Sequence, residues 1–356
     1  MSPPSSSSFC VKEIPGAGRG VVARASIPAG SSILSTSDRG PIADVVFRPY
    51  RREVCAWCFF YNRGRSLPVR EFNESGKVFC CSDCRDTWVK SQGALGIEAW
   101  HALETFVKTR SKAITNIYGD AAIGDPPGEQ AIDGTWEEAE NVAALQRLGR
   151  TSAATISGPG IKAQKEYRRA IHHTWTQPVN PDILVFFLSG LLSKVAAPQR
   201  WEADISGLAP DLQPYRSNAD LEAHCNAFLQ LTAIVPILLL DRLTPQLCHQ
   251  LVAATSHNSF GLHSGSEDGD EYLGHALFPE ASFFNHCCRP NVKKVRTGRR
   301  WEFRAAREVV EGEQLCIAYL GGDEDYLSVA ERRKRLVATW GFECQCARCC
   351  EESATS

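Results

Sequence analysis

The spacing of the cysteines constrains the fold of this chain more than any other feature. Most of the 15 cysteines among the 356 residues fall into two short groups. The first group is Cys55, Cys58, Cys80, Cys81 and Cys84, and the second is Cys287, Cys288, Cys344, Cys346, Cys349 and Cys350. The N-terminal residues MSPPSSSSFC lack the positive and apolar regions of a signal peptide. We therefore expect a protein of the nucleus, the cytoplasm or both, in which cysteines bind metal rather than form disulfides.

The first cysteine group has the spacing of a zinc site with four thiolates. Such sites usually take two thiol pairs from separate turns of the chain. Cys55 and Cys58 form one pair, and Cys84 forms the other with either Cys80 or Cys81. We assign Cys80, and Cys81 stays an alternative.

The second group predicts another zinc site near the C-terminus. Cys344, Cys346 and Cys349 lie on a segment short enough for three thiols to converge on one ion. Tetrahedral zinc needs a fourth ligand from elsewhere in the fold, and Cys288 is the best candidate. Binding at this site would tie the C-terminal segment onto the core.

Charge and hydropathy argue against nucleic acids and membranes as direct partners. Lys and Arg total 39 against 41 Asp and Glu, so the net charge of -2 creates no strong field for an anionic polymer or lipid surface. No uninterrupted apolar stretch reaches the roughly 18 residues of a membrane-spanning helix.

The pattern of apolar residues changes along the chain from strands to helices and back to strands. Residues 11–34 carry short apolar runs separated by glycine turns, and helical spacing dominates 88–256, with a helix expected over 136–148. Strand patterns return from 257, and a charged helix is expected over 326–339. We divide the chain into the segments 1–50 (disordered N-terminus and first strands), 51–90 (zinc finger), 91–256 (helical insert), 257–323 (functional core) and 324–356 (C-terminal zinc segment).

Two motifs in the last quarter of the chain carry the chemistry. Asn285 and His286 follow an apolar run and precede a turn at Pro290, which alone would indicate only a capped turn with buried polar side chains. About 30 residues later Gly312 and Glu313 form a turn that leads into an apolar strand ending at Tyr319.

Together these features resemble a SET domain, and the order of the cysteine groups is similar to the SET-and-MYND (SMYD-like) lysine methyltransferases. The motifs are Gly18-Arg19-Gly20, Asn258-Ser259-Phe260, Asn285-His286 with Cys288 and Pro290-Asn291, Gly312-Glu313 leading to Tyr319, and Phe342 with Cys344, Cys346 and Cys349. The resemblance implies an α+β fold of small twisted sheets whose C-terminal segment threads under a loop as a pseudoknot. It also implies S-adenosylmethionine-dependent N-methylation of lysine in a histone or non-histone protein.

The resemblance assigns a role to each matching residue. Gly18, Arg19 and Gly20 would form the turn that approaches S-adenosylmethionine, and glycine suits a place where no Cβ fits. Asn285 and His286 would hold the cofactor mainly through their backbone, and Phe342 would stack near its adenine. Tyr319 would stand at the point of methyl transfer, as the catalytic residue and a cofactor contact. Phe260, Phe278, Tyr319 and Trp340 are the expected walls of the lysine channel.

Three departures from the family pattern matter. Cys287 replaces a small hydroxyl residue, a change of similar size that we expect to be tolerated. Trp340 stands where a tyrosine is frequent, so we expect a narrower lysine channel. The finger retains only Cys55, Cys58, Cys80 and Cys84, which predicts one zinc ion there instead of two.

The same residues suggest two other functions, a binding scaffold and a hydrolase. A catalytically weak or inactive zinc scaffold would bind partner proteins, but it would have no need of Asn285, His286 and Tyr319 together. A hydrolase using Cys287 or Cys288 with His286 is disfavoured because adjacent side chains rarely face each other and no orienting group is evident. The acidic segment 267–271 could meet a basic peptide.

Overall fold

The fold is mixed α and β, as a computed structural model describes it for residues 4–37, 40–71, 74–115, 124–153, 161–265 and 271–354. Its strands are β1 (Phe9–Ile14), β2 (Gly18–Ala23), β3 (Ser32–Ser35), β4 (Ala43–Val46), β5 (Val69–Arg70), β6 (Val78–Phe79), β7 (Ser259–His263), β8 (Tyr272–Leu277), β9 (Asn285–His286), β10 (Val292–Thr297), β11 (Arg300–Ala305) and β12 (Gln314–Ile317). Its helices are α1 (Ser82–Thr109), α2 (Glu129–Ala153), α3 (Ile161–Thr176), α4 (Pro181–Ala196), α5 (Pro198–Ser206), α6 (Asn218–Ile234), α7 (Pro245–Asn258), α8 (Val329–Trp340) and α9 (Ala347–Ala354).

One small sheet brings both ends of the chain together. The predicted hairpin of β1 and β2 is present, with Gly16 at φ +74° in its turn. On its other side β2 pairs antiparallel with β12, which in turn pairs parallel with β9, so that Cys316 lies opposite Asn285. The sheet order β1-β2-β12-β9 therefore places three of the sequence motifs on neighbouring strands.

Two further three-stranded sheets complete the β part, in the orders β10-β11-β3 and β4-β8-β7, and a short hairpin pairs β5 with β6. The apolar faces of the two three-stranded sheets meet the first sheet in one buried core. Its members include Phe9, Val21, Phe260, Phe278, Phe284, Trp301, Phe303, Leu315 and Ile317.

The helical part packs around α4, whose buried face contacts several of the other helices and β4. Asn180 caps α4 by accepting hydrogen bonds from the backbone N–H groups of Asp182 and Ile183, and Pro181 occupies its first turn. Residues of the finger, including Cys55 and Phe79, belong to the same buried core as these helices. The finger is therefore packed onto the helical part rather than tethered to it.

Two helix boundaries differ from the expected ones. The helix expected over 136–148 is α2, which begins seven residues earlier at Glu129, and Thr135 lies inside it with its hydroxyl donating to the Ala131 carbonyl. The helix expected over 326–339 begins at Val329, because Ser328 and Glu331 form a capping box there. In the described part of the chain, no helix is long and apolar enough to span a membrane. Most of the acidic segment 267–271 lies outside the described residues.

Candidate active site and metal centres

Strands β2, β9 and β12 bring Gly20, Asn285 and Gln314 to one point. A Cβ on Gly20 would stand 2.7 Å from the Nδ2 atom of Asn285 and 2.7 Å from the Nε2 atom of Gln314. A side chain at this position would therefore displace the two side-chain amides from their places, and glycine leaves room for both. We call Gly20, Asn285 and Gln314 the amide cradle.

The amide cradle contains an unsatisfied donor. The Nε2 atom of Gln314 is buried and makes no hydrogen bond to any described residue. Among the described residues, the side-chain amide of Asn285 donates one long hydrogen bond of 3.4 Å, to the Ala17 carbonyl. Leaving a buried donor unpaired costs roughly 1–3 kcal/mol, so an acceptor is expected to bind there. An anionic oxygen such as the carboxylate of S-adenosylmethionine fits this donor set.

Arg19 lies beside the amide cradle but its side chain has a structural partner. Its guanidinium donates a 2.8 Å hydrogen bond to the Gly207 carbonyl and lies 5.3 Å from the centre of the Phe283 ring. The side chain thus holds the segment after α5 against the core. Gly18 begins β2 with φ +64°, a conformation that favours glycine.

Tyr319 is fixed at both ends. Its backbone N–H donates to the Nδ1 atom of His286 at 3.1 Å, and its hydroxyl donates to the Phe284 carbonyl at 2.8 Å. Burial raises the pKa of Tyr319, so the hydroxyl stays protonated at physiological pH. The ring packs against His286, Trp340 and Phe342 with centroids 5.1 to 6.3 Å apart.

The end of α8 places the two aromatic residues that contact Tyr319. Gly341 adopts a left-handed conformation with φ +72° directly after the helix and ends it. The chain reverses there, so Trp340 and Phe342 both lie against the Tyr319 ring. Phe342 also lies 6.2 Å from the His286 ring, which places it beside the strand that carries Asn285.

A second group of rings lies in the same buried core. Phe260, Phe278 and Trp301 contact one another with centroid distances of 5.1 to 6.2 Å, and we call them the aromatic cluster. The sequence predicted Phe260 and Phe278 as channel walls but missed Trp301. The alternation of polar and apolar residues on β11 could have indicated that Trp301 faces the core, but not which rings it contacts.

The first cysteine set consists of Cys55, Cys58, Cys80 and Cys84, whose sulfur atoms all lie within 4.8 Å of one another. The Cys58–Cys80 and Cys80–Cys84 Sγ distances are both 3.6 Å. Tetrahedral zinc with Zn–S bonds of about 2.3 Å requires Sγ–Sγ distances of about 3.8 Å. A hydrogen bond from Cys58 lowers the pKa of Cys55 to about 5. The set could therefore hold zinc, and it includes Cys80 in place of the exposed Cys81.

The second cysteine set consists of Cys288, Cys344, Cys346 and Cys349, also with all sulfur atoms within 4.8 Å. Cys288 Sγ lies 3.9 Å from that of Cys344 and 3.5 Å from that of Cys349. The hydrogen bond from Cys288 lowers the pKa of Cys344 to about 3. Here too the spacing is that of four thiolates around zinc, and Cys288 is the partner contributed by the core.

A buried cation accompanies the second cysteine set. The side chain of Arg332 is fully buried, lies 3.6 Å from the Cys349 sulfur and pairs with Glu352 at 2.6 Å. A positive charge at this distance would offset part of the negative charge of four thiolates around a divalent ion. Because Cys288 is 1% exposed and belongs to this set, its sulfur is not placed as a hydrolytic nucleophile. Cys287 is not a member of the set, and its thiol donates to the Arg289 carbonyl.

Sequence reasoning missed Gln314 and Asn291. Asn291 donates to Glu313 and to the Gln314 carbonyl at 2.9 and 2.8 Å, and it accepts a hydrogen bond from the Cys316 N–H at 2.8 Å. It thereby locks the turn after β9 onto β12. Both residues lie within the sequence motifs, but only the pairing of β9 with β12 shows what they contact.

Comparison with known proteins identifies one relative that aligns with nearly the whole chain and others that align with less than a quarter of it. Over 373 aligned residues, covering 97% of this chain and 95% of the relative, it is 25% identical to "Potential protein lysine methyltransferase SET6" of Saccharomyces cerevisiae. "Histone-lysine N-methyltransferase SMYD3" of Mus musculus is 42% identical over 77 residues, which are 22% of this chain and 17% of the relative. "Protein-lysine N-methyltransferase SMYD4" of Mus musculus is 37% identical over 81 residues, 23% of this chain and 10% of the relative.

The match to a known family covers most of the chain. The pattern that defines the SET domain matches residues 18–320, a span that begins at β2 and ends directly after Tyr319. It includes the amide cradle, the aromatic cluster and Cys288. The resemblance that the sequence motifs indicated is confirmed, and the chain belongs to the SET domain family.

Proposed function

We propose that this protein is an S-adenosylmethionine-dependent protein lysine N-methyltransferase. The observation that carries the proposal is the arrangement on β9 and β12. Asn285 and Gln314, the two amides of the cradle, lie on these two strands. Tyr319, which follows β12, donates a backbone hydrogen bond to His286 of β9. One short pair of strands thus supports both a place for the cofactor and a fixed phenol.

In this proposal S-adenosylmethionine supplies an electrophilic methyl group. The amide cradle would bind the cofactor's carboxylate, the backbone at Asn285 and His286 would hold its polar groups, and Phe342 would pack near its adenine. The residues of the chain then have to align the target amine and exclude water, since alignment contributes most of the rate in a displacement of this kind.

Tyr319 has the clearest catalytic role. Its hydroxyl is held by the Phe284 carbonyl at 2.8 Å, so its oxygen occupies a fixed position and can accept weak CH···O contacts from a methyl group. Loss of hydration in this buried, apolar surrounding disfavours the charged form of an amine, which helps a lysine arrive in the neutral, nucleophilic form.

The substrate class follows from the names of the relatives. The yeast relative is named for protein lysine and the mouse relative for histone lysine. We propose a lysine side chain in a protein, histone or non-histone, as the substrate. The two cysteine sets would each hold one structural zinc ion, the second fixing Phe342 and Trp340 beside Tyr319.

The direct test is transfer of a labelled methyl group. Purified protein is incubated with S-adenosylmethionine carrying a labelled methyl and with an extract of its own cells, and labelled lysines are identified by mass spectrometry. Gly20→Val should abolish labelling and cofactor binding, because its side chain would fill the amide cradle. Ala25→Val, which enlarges an exposed position just after the end of β2, is the matched control.

The outcomes separate an enzyme from a scaffold. Labelled lysine with the wild type and the control, but not with Gly20→Val, supports the methyltransferase. Cofactor binding without transfer to any protein would favour the inactive scaffold that binds partners. We also propose a location in the nucleus, the cytoplasm or both, based on cysteines grouped for metal binding, and imaging of a fluorescently tagged chain tests it.

A further inference from the structure

Lys294 has an unusual environment for a surface strand. It lies on β10, and its amine nitrogen stands 5.4 Å from the centre of the Phe260 ring and 5.8 Å from that of Trp301. Both rings belong to the aromatic cluster. Within the described residues, no carboxylate lies at ion-pair distance from this amine, so its partners are ring faces rather than an acid.

Pairing across the sheet connects Lys294 to the catalytic tyrosine. Lys294 lies opposite Phe303 on β11, and directly opposed residues share one face of a sheet. Phe303 stacks on Phe284 with ring centres 4.4 Å apart, and the Phe284 carbonyl holds the Tyr319 hydroxyl. Lys294 therefore lies opposite Phe303, whose ring stacks on the residue that holds the Tyr319 hydroxyl.

The same environment changes the chemistry of the amine. Burial lowers the pKa of Lys294 to about 8, and Glu324, which follows Tyr319 by one short turn, only partly opposes the shift. At about pH 8 roughly half of such amines are neutral, against roughly 0.4% for a free lysine side chain. Only the neutral amine has a lone pair that can attack a methyl group.

Lys293 provides an internal comparison. It precedes Lys294 on β10, is exposed, and points to the opposite face because strand residues alternate. The two lysines share the same local sequence and differ in their surroundings. A modification that depends on the aromatic cluster should therefore select Lys294.

We propose that Lys294 is a self-methylation site, in which the protein transfers a methyl group from S-adenosylmethionine to its own buried amine. This inference rests on the proposed function. The nitrogen lone pair forms the new N–C bond while the methyl C–S bond breaks. The sulfur keeps the electron pair of the broken bond and leaves as the neutral thioether S-adenosylhomocysteine. The proton that Lys294 released to solvent before the attack is the only one lost, so the product is a methylammonium cation.

The aromatic cluster would also retain the product. A methylated ammonium is less strongly hydrated than a primary one, and faces of Phe and Trp attract such cations. Methylated Lys294 would stay against the Phe260 and Trp301 rings and occupy part of the expected lysine channel. Self-methylation is thus expected to slow the transfer of methyl groups to other proteins.

Site-resolved mass spectrometry tests the proposal on the full-length protein. The methylation state of Lys294 and Lys293 is measured in the protein as purified and again after incubation with labelled S-adenosylmethionine, at several protein concentrations. We expect at least about 100-fold more label on Lys294 than on Lys293, because Lys293 is exposed on the opposite face of β10; the factor is roughly the ratio of the neutral fraction of Lys294 to that of a free lysine side chain. The labelled fraction should not depend on protein concentration, because the reaction is intramolecular.

Variants and a second substrate separate the possible failures. Lys294→Arg should lose the label and Lys293→Arg should keep it, and both should bind S-adenosylmethionine like the wild type in calorimetry. Transfer to extract proteins with Lys294 unlabelled would overturn self-methylation and leave the proposed function standing. No transfer to any lysine would overturn both, and label that rises with protein concentration would contradict the intramolecular step.

Discussion

At the scale of single residues, the site depends on a few polar contacts inside an apolar core. His286 illustrates this, because its Nδ1 accepts the Tyr319 N–H while its Nε2 lies 3.2 Å from the Cys288 sulfur. One imidazole thus touches the catalytic tyrosine and the second cysteine set. A substitution at Tyr319 is therefore expected to affect the second cysteine set through this ring, and a substitution in the second cysteine set is expected to affect Tyr319.

The first prediction concerns the hydroxyl of Tyr319. We expect Tyr319→Phe to retain the fold and most of the affinity for S-adenosylmethionine, because the ring contacts with Trp340 and Phe342 do not need the oxygen. Methyl transfer should fall by roughly 10²-fold, the scale of losing one preorganised polar group. Single-turnover rates and calorimetric titration provide the two measurements.

Tyr326→Phe is the matched control, because Tyr326 is 90% exposed and removal of its hydroxyl should change neither quantity. A wild-type transfer rate in Tyr319→Phe would mean that Tyr319 serves only to fill the core.

Sequence reasoning found the residues that belong to contiguous motifs and missed those defined by their surroundings. Asn285, His286 and Tyr319 were predicted because their order and spacing resemble a family. Gln314 and Lys294 were missed because neither composition nor alternation shows that Gln314 lies over Gly20 or that Lys294 lies over Phe260 and Trp301. Those contacts exist only after remote strands have paired.

At the scale of secondary-structure elements, α8, α9 and the intervening loop form one unit around the second cysteine set. Arg332 of α8 donates to the Leu327 carbonyl and pairs with Glu352 of α9. The loop between the helices contains Phe342 and Cys344. Metal at this site would therefore set the position of Phe342 relative to Tyr319.

The second prediction is that Cys344→Ser weakens both stability and cofactor binding. Loss of one thiolate should weaken zinc binding, whose free energy also stabilises the folded segment. The Phe342 ring would then no longer be held near the cofactor. Thermal unfolding and calorimetry with S-adenosylmethionine measure the two effects.

Cys350→Ser provides the control, since Cys350 is exposed and lies outside the second cysteine set. If folded Cys344→Ser bound the cofactor with unchanged affinity, the C-terminal segment would be independent of the active site.

The third prediction concerns the contact between α4 and the segment that precedes the finger. Asp182 accepts the Arg48 backbone N–H at 2.8 Å, and burial raises the pKa of its carboxyl to about 6. The folded state binds this proton more tightly than the unfolded state, so the contribution of Asp182 to stability decreases as pH rises from about 4 to 6.

Asp182→Asn keeps an oxygen for the Arg48 N–H but cannot ionise. Its stability relative to wild type should increase by about 1 kcal/mol between about pH 5 and pH 7. Burial lowers the pKa of His275 to about 4, which gives the opposite slope, but His275 is present in both proteins and cancels. Urea unfolding at both pH values measures the difference, with the exposed Asp241→Asn as control. A difference independent of pH would contradict the raised pKa.

Helix identity was easier to predict than helix boundaries. Apolar spacing located α2 and α8, but the start of α2 at Glu129 lies seven residues before the expected start because polar residues of its first turns face solvent. The capping box at Ser328 was present in the sequence and could have located the start of α8.

At the scale of the whole molecule, the order of strands within sheets could not be predicted from the sequence. Within the first sheet β12 lies between β2 and β9, so residues nearly 300 positions apart become neighbours. Local patterns indicate strands and turns, whereas the pairing depends on the complete core of Phe9, Phe284, Phe303 and their neighbours. The threading of the C-terminal segment as a pseudoknot, and the division into five segments, stay predictions.

The final prediction is that each chain binds two zinc ions. The Sγ–Sγ distances of 3.5 to 3.9 Å across the two cysteine sets agree with the roughly 3.8 Å edge of a zinc–thiolate tetrahedron. Each set also contains one cysteine whose pKa is lowered by a neighbouring thiol, so part of the charge that zinc requires is already favoured.

Protein purified without chelator should contain two zinc ions per chain by elemental analysis. Cys58→Ser and Cys346→Ser should each reduce the ratio to one, because each removes a ligand from a different set, while Cys81→Ser and Cys350→Ser should leave it at two. The two single-site variants should also differ in function: Cys346→Ser is expected to lose cofactor affinity through displacement of Phe342, whereas Cys58→Ser should lose stability of the finger and the adjoining helical core. A ratio near one in the wild type would show that one of the cysteine sets is held by packing alone, and a ratio near zero would exclude zinc from both.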